Sequence, residues 1–239
     1  MSTGAEIGAA RSGTAWQHGG MDREDLRLAV YRSFAESGRA PTPAELAGQF
    51  GTDVPAVGRG LKELAASRDL VLDGQGRIVM AHPFSAIPLG FSVMGARVLW
   101  WGGCAWDSFA LPHLLPGEGE MLVATRCPTC RRPHAWNVGT GGPPVGGQVA
   151  HFLVPAARMW DDVMRTCGHQ RLFCSEDCVA AWLEETGLPR GYVMDLGTLW
   201  RLAAHWYEGR LERGYTRRDP PRAADYLRSA GLSGQFWGL

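Results

Sequence analysis

Over residues 22–36 the apolar side chains Leu26, Leu28, Ala29, Val30, Phe34 and Ala35 mostly recur at helical spacing, and Gly38 supplies a stop. The pattern predicts a helix. Thr42, with Glu45 three positions on, forms a capping box that opens a second, shorter helix ending near Phe50 and Gly51. A third begins at Asp53 and carries Val57, Leu61, Leu64 and Ala65. Residues 70–72 and 77–80 then flank Asp73-Gly74-Gln75-Gly76, which reads as a hairpin. Three helices and a hairpin over residues 21–82 outline a winged-helix-like domain.

The remainder, residues 83–239, alternates between the two periods. Residues 82–101 read as strands broken by Pro and Gly turns, with Phe91, Val93, Ala96, Val98 and Trp100 as the β-type positions. A helix is expected near Cys104, through Trp106, Phe109 and Leu111, with Pro112 bending or ending it. Strands at 121–125 and 135–138, a flexible loop at 139–147 (GTGGPPVGG) and a strand at 149–154 follow. Two further helices are expected, one at 175–186 and one at 196–213 with Leu199, Leu202, Ala203, Trp206 and Leu211 on its apolar side. The fold class is α+β.

Composition narrows the partners. With 45% hydrophobic and 20% charged residues the 239-residue chain has the make-up of a globular protein, and 24 Lys and Arg balance 24 Asp and Glu. Residues 21–80 hold eight cationic and nine acidic side chains, net −1, whereas phosphate neutralisation needs clustered cations. The winged-helix-like region is therefore read as a packing or dimerising module, and a nucleic-acid partner is not expected. Residues 1–20 show neither secretory nor transit-peptide character and read as a disordered tail. The longest apolar run, 87–101, is interrupted by Pro88, Gly90, Gly95 and Arg97, so no membrane span and a cytoplasmic location are expected. Six cysteines in that compartment are thiols for metal or chemistry rather than three disulfides.

Cys127-Pro-Thr-Cys130, followed 44 positions later by Cys174-Ser-Glu-Asp-Cys178, supplies the four thiols of a tetrahedral structural zinc, as a zinc-knuckle (treble-clef-like) insertion. A helix N-terminus at Cys174 would place Cys178 one turn on and favour thiolate. Cys104 and Cys167 lie outside that spacing. Cys104-Ala-Trp-Asp107 puts a carboxylate on the same helical face as a thiol, within proton-exchange reach of its sulfur. Cys167, if its segment is extended, points to the face opposite Cys174. Each of the two also fits an ordinary buried cysteine. Trp100, Trp101 and Trp106 are candidates to wall a dry pocket or to fill the core, while His113 and His169 carry no assigned role.

WGGCAWDSFALPHLL, TCGHQRLFCS and the terminal GLSGQFWGL resemble the alkylmercury (organomercurial) lyase family, over most of the chain from about Asp22 to Leu239. The resemblance implies a winged-helix-like domain joined to a mixed α/β lyase domain. It also implies catalytic roles for Cys104, Asp107 and Cys167, with Cys104 and Cys167 binding the mercury of substrate and product. The departures are Gly103 in place of a tryptophan, Gly168 in place of a cysteine found in some members, and the added Cys130, Cys174 and Cys178, which suggest a zinc-stapled branch. Chemistry agrees, because mercury(II) prefers thiolates, two of which raise electron density on its bound carbon, and a nearby acid can then protonate that carbon. The expected activity is protonolysis of an organomercurial to a hydrocarbon and Hg(II), in mercury detoxification. It needs no catalytic cofactor beyond the chain's own residues, and small thiols or a mercuric reductase would accept the product. The alternatives are a zinc-containing winged-helix metal sensor, or a lyase-fold protein recruited to another pathway.

Overall fold

A computed structural model describes residues 21–239; the tail expected over residues 1–20 lies outside them. The first three helices, α1 (Arg23–Ser37), α2 (Pro43–Phe50) and α3 (Val54–Ala66), stand where the apolar spacing puts them. Their ends have local causes. The Thr42 hydroxyl accepts from the Glu45 N–H while the Glu45 carboxylate accepts from the Thr42 N–H, and Asp53 accepts from the Ala56 N–H at 2.6 Å. Gly38 closes α1 at φ 72°, and a Cβ there would lie 2.4 Å from the Leu99 carbonyl oxygen, so the turn needs glycine twice over. Leu26, Val30, Phe34, Val57, Leu61 and Leu64 are wholly buried between these helices, each contributing about 1.5–3 kcal/mol by leaving water.

The hairpin strands β1 (Val71–Leu72) and β2 (Ile78–Ala81) are followed by β3 (Phe84–Ser85), β4 (Phe91–Met94), β5 (Leu99–Gly102), β6 (Met121–Arg126) and β7 (Pro133–Val138). These form one antiparallel sheet in the order β1-β2-β3-β5-β4-β6-β7. Its β2–β3 pairing runs across position 82, where the sequence suggests a domain boundary. Side chains join the two sides as well. Phe34 stacks on Phe84 at 5.5 Å, and the Trp100 indole N–H donates to the Phe34 carbonyl oxygen at 2.7 Å.

A second antiparallel sheet, order β10-β8-β9, is built from β8 (Val149–Phe152), β9 (Gln170–Phe173) and β10 (Tyr192–Asp195). Helix α4 (Ala105–Leu114) packs against strands of both sheets and against a later helix, and every residue from Ala105 to Pro112 is buried. A helix covered on all sides has no polar face to show, which is why its sequence lacks an amphipathic stripe. The remaining helices are α5 (Val163–Gly168), α6 (Glu176–Thr186), α7 (Leu196–Ala204) and α8 (Pro220–Ser229). No helix among the described residues is long and apolar enough to cross a membrane.

Two expectations need correction. Helix α7 stops at Ala204 rather than at Arg213, because His205 caps it and Gly209 turns the chain at φ 75°. Cys167 is helical, not extended, since Asp162 caps α5 by accepting from the Arg165 N–H at 2.9 Å; the opposite-faces relation to Cys174 does not apply. Of the three tryptophans that could fill the core or wall a pocket, Trp100 is wholly buried in the core, Trp101 does not line the cavity described below, and Trp106 does. Strand β10 and helices α5 and α8 were not expected, although Asp219 followed by Pro220 is a start signal for α8.

Candidate active site

Strand β5 ends at Gly102, and the next two residues bring the backbone against the first turn of α4. A Cβ on Gly102 would meet the Ser108 Oγ at 1.9 Å, and one on Gly103 would meet the Asp107 Oδ2 at 2.3 Å and the Met80 Cε at 2.4 Å. Gly103 suits this position because the carboxylate and Met80 already fill the space a side chain would take. Cys104 is the N-cap of α4: its sulfur accepts from the Asp107 N–H at 3.4 Å, and its thiol donates to the Asp107 Oδ2 at 3.3 Å. The Ser108 hydroxyl donates to the Cys104 carbonyl oxygen at 2.6 Å and fixes the turn.

The other side of the carboxylate is held from far along the chain. Tyr207, beyond the end of α7, donates its hydroxyl to the Asp107 Oδ1 at 2.6 Å. Burial pushes the Asp107 carboxyl up to about 7, against the opposing hydrogen bonds from Tyr207 and Cys104 and the charge of Arg210. The Cys104 thiol is raised well above its ordinary value, by burial first and then by Cys167 and the Asp107 charge. The Cys104 thiol works to lower the pKa of Cys167, from α5, but burial and the Asp107 charge leave it raised. Both thiols thus keep their protons at rest, beside a carboxylate whose affinity for a proton has been brought close to neutrality.

His82 is a site residue that no sequence pattern singled out. Its Nε2 lies 3.6 Å from the Cys167 Sγ, and donor atoms of His82, Asp107 and Cys167 lie within 4.8 Å of one another. Burial, followed by the nearby Arg210 and Arg217, lowers its pKa to about 3, so the ring is neutral. Cys104, Asp107, Cys167, His82 and Tyr207 open on one cavity of about 400 Å³, walled by Trp106, Trp160, Trp206 and Trp237. Trp106 packs on Trp206 at 4.9 Å and on Trp237 at 6.1 Å, which gives the terminal Phe-Trp-Gly a place in the site. An aromatic-walled chamber over two thiols and a carboxyl can hold a soft metal with an organic substituent and deliver a proton beside it.

The other four cysteines converge elsewhere. Cys127 and Cys130 sit on the β6–β7 connection, Cys174 follows β9, and Cys178 lies in the first turn of α6; their four sulfurs all lie within 4.8 Å of one another. Thr129 clasps the two halves by donating to the Cys178 carbonyl oxygen at 2.6 Å. Burial works to raise the Cys127 thiol, but backbone N–H groups of Cys130, Cys174 and Thr129 bring it down to about 7; Cys174 is pushed up to about 12 by desolvation and by its sulfur neighbours. Tetrahedral zinc with sulfurs at ~2.3 Å implies sulfur separations of about 3.8 Å, so this spacing fits such an ion. His113 and His169 lie outside both groups, with His169 Nδ1 bonded to the Arg165 carbonyl oxygen at 2.7 Å.

A buried dithiol with an adjacent carboxyl, under an aromatic chamber, has the donor chemistry to take a thiophilic metal. The family model for alkylmercury lyase matches residues 84–208, just over half of the chain, and the chain belongs to that family. Among solved structures it is similar to the mercury-bound form of MerB2, with 20% identity and a TM-score of 0.59, covering 78% of this chain and 91% of that one; at this identity the likeness establishes the fold. No curated protein matches the chain.

Proposed function

We propose that this chain cleaves carbon–mercury bonds by protonolysis, releasing a hydrocarbon and leaving Hg(II) on Cys104 and Cys167. The observation that carries the reading is the 3.3 Å contact between the Cys104 thiol and the Asp107 carboxyl inside the cavity that Cys167 shares. An organomercurial enters as R–Hg–X, with X a small thiolate. The two cysteines bring two protons: one leaves with X as its free thiol, and the other passes from Cys104 to the Asp107 Oδ2 as sulfur binds mercury. The second sulfur raises electron density on the carbon, Asp107 returns its proton there, and R–H departs as the carbon–mercury bond breaks. Tyr207 holds the carboxyl on its far oxygen throughout. Product Hg(II) would leave to a small thiol or a mercuric reductase.

Incubation of the protein with phenylmercury and excess 2-mercaptoethanol should release benzene. Mercury binding without any hydrocarbon from phenylmercury or methylmercury would instead support a metal sensor. Asp107 favours turnover, since retention alone needs no proton carrier.

Cys127, Cys130, Cys174 and Cys178 are read as the ligands of one structural zinc, which would tie the β6–β7 knuckle to α6. Four thiols this close cannot all ionise without a cation, which is the chemical reason for the assignment. The N-terminal helices and hairpin are read as a winged-helix-like unit that packs on the lyase sheet and binds no nucleic acid.

A further inference from the structure

The charges around the cavity do not balance. Asp107 is its only carboxylate among the described residues, and Arg210, Arg217 and Arg218 all line it. Arg210 is 3% exposed and forms no ion pair among the described residues. Its Nε donates to the Tyr31 hydroxyl at 2.9 Å, and its guanidinium sits among the rings of Tyr31, Tyr207 and Tyr215 at 5.3, 5.8 and 4.8 Å. Aromatic faces offset part of the cost of burying a cation and supply no counter-charge. Arg217 lies over Trp160 at 5.3 Å and reaches Asp69 only at 3.6 Å, an acid already bonded to Arg23 at 2.5 Å. Arg218 spends its N–H groups on the His205 and Trp206 carbonyl oxygens, which satisfies hydrogen bonds and leaves the charge in place.

Three cations and one partly protonated acid make a chamber of positive potential, which draws in anions and repels cations. A bare alkyl or aryl group would leave that potential unused. We propose that the cavity selects organomercurials presented with a carboxylate, carried either on the organic group or on the thiol that holds the mercury. The inference rests on the lyase reading of the same cavity. All three arginines come from residues beyond Tyr207, on the stretch where α7 fails to continue and past the 84–208 span that the family model matches.

The test compares kcat/KM for hydrocarbon release from phenylmercury and 4-mercuribenzoate, each supplied with 2-mercaptoethanol or with 3-mercaptopropionate. One charge-assisted hydrogen bond corresponds to about a 10-fold or larger preference. Preference for 4-mercuribenzoate with 2-mercaptoethanol places the carboxylate on the organic group; preference for phenylmercury with 3-mercaptopropionate over 2-mercaptoethanol places it on the thiol. In either case Arg217→Gln, or Arg218→Gln if the first variant folds poorly, should reduce the ratio by lowering the rate of the carboxylate-bearing arm more than that of phenylmercury with 2-mercaptoethanol. Equal rates in all arms, with phenylmercury cleaved, overturn the carboxylate preference and spare the lyase reading. If no arm releases hydrocarbon, the lyase reading fails, and quenching of tryptophan fluorescence by the two mercurials decides: equal affinities overturn the preference, and tighter 4-mercuribenzoate binding lost in Arg217→Gln sustains it.

Discussion

Cys104 and Cys167, at 2% and 4% exposure, share a cavity with a carboxyl in contact with one of them, whereas the quartet that includes exposed Cys130 meets chiefly other sulfurs and backbone N–H groups. The same side chain is thus placed in two surroundings within one chain. Beside Asp107 a thiol proton has somewhere to go and a substrate has somewhere to sit. In the quartet, backbone N–H groups bring Cys127 down while desolvation and the neighbouring sulfurs raise Cys174, an arrangement suited to holding a cation. The difference teaches that cysteine count says little about chemistry. What separates turnover from retention is the group beside the sulfur and the space in front of it.

The largest expected effect divides the two sites outright. Cys104→Ala and Cys167→Ala should each abolish hydrocarbon release while the protein stays folded with its metal content unchanged, as read by product assay, circular dichroism and elemental analysis. Full turnover in either variant would break the two-thiolate mechanism. Cys127→Ser or Cys178→Ser should do the reverse, taking zinc from one per chain to none and lowering Tm by about 10 °C or more. A structural metal contributes several kcal/mol, and each is about 2–4 °C in a domain of this size. Zinc-free parent protein with unaltered Tm would remove the quartet's assignment.

Asp107→Asn probes the feature the quartet lacks. Mercury(II) binding should persist, since the sulfurs supply it, while turnover falls by about 100-fold to 10,000-fold. In the parent, kcat/KM should decline below about pH 7, where the raised Asp107 carboxyl holds a proton and cannot accept another from the thiol. The stability sign is opposite to that of a salt-bridged acid. Because burial lifts this carboxyl from 3.8 to about 7, the unfolded chain releases its proton first, and the parent loses stability as pH rises between those values. Asn abolishes that loss, so Tm against pH should be flatter in the variant.

Much of this contrast is legible in the sequence, and the rest is hidden for a physical reason. Local signals served well: the Thr42–Glu45 box, the Asp53 cap and the Cys104–Asp107 spacing all concern residues within a turn of each other, and the structure keeps them there. The apolar side of 196–213 misled because Trp206 and Leu211 pack as a helix would, although the chain has left the helix at His205. That departure delivers Tyr207 to Asp107, 100 positions away, and no periodicity reports a contact between such distant residues. His82 was missed likewise, 85 positions from Cys167. Two-residue gaps between cysteines are loud; a tyrosine in a turn is silent.

The smallest predicted effect is also the sharpest, because it leaves both sulfurs and the carboxyl in place. The Tyr207 hydroxyl donates to the Asp107 Oδ1 at 2.6 Å, and a hydrogen bond to a carboxylate favours its ionised form. Tyr207→Phe removes only that bond, so Asp107 should hold its proton to still higher pH. A hydrogen bond to a charged group is worth about 1.5–3 kcal/mol, and one pKa unit is about 1.4 kcal/mol, so the acid limb of kcat/KM should move up by about one pH unit. Well above the limb the variant should turn over near the parental rate, since both thiolates and the proton carrier remain. A purely structural tyrosine would lower the rate at every pH and leave the limb where it was. An unmoved limb would mean that Tyr207 does not tune Asp107, or that the limb belongs to another group; repeating the profile in Asp107→Asn separates those two outcomes.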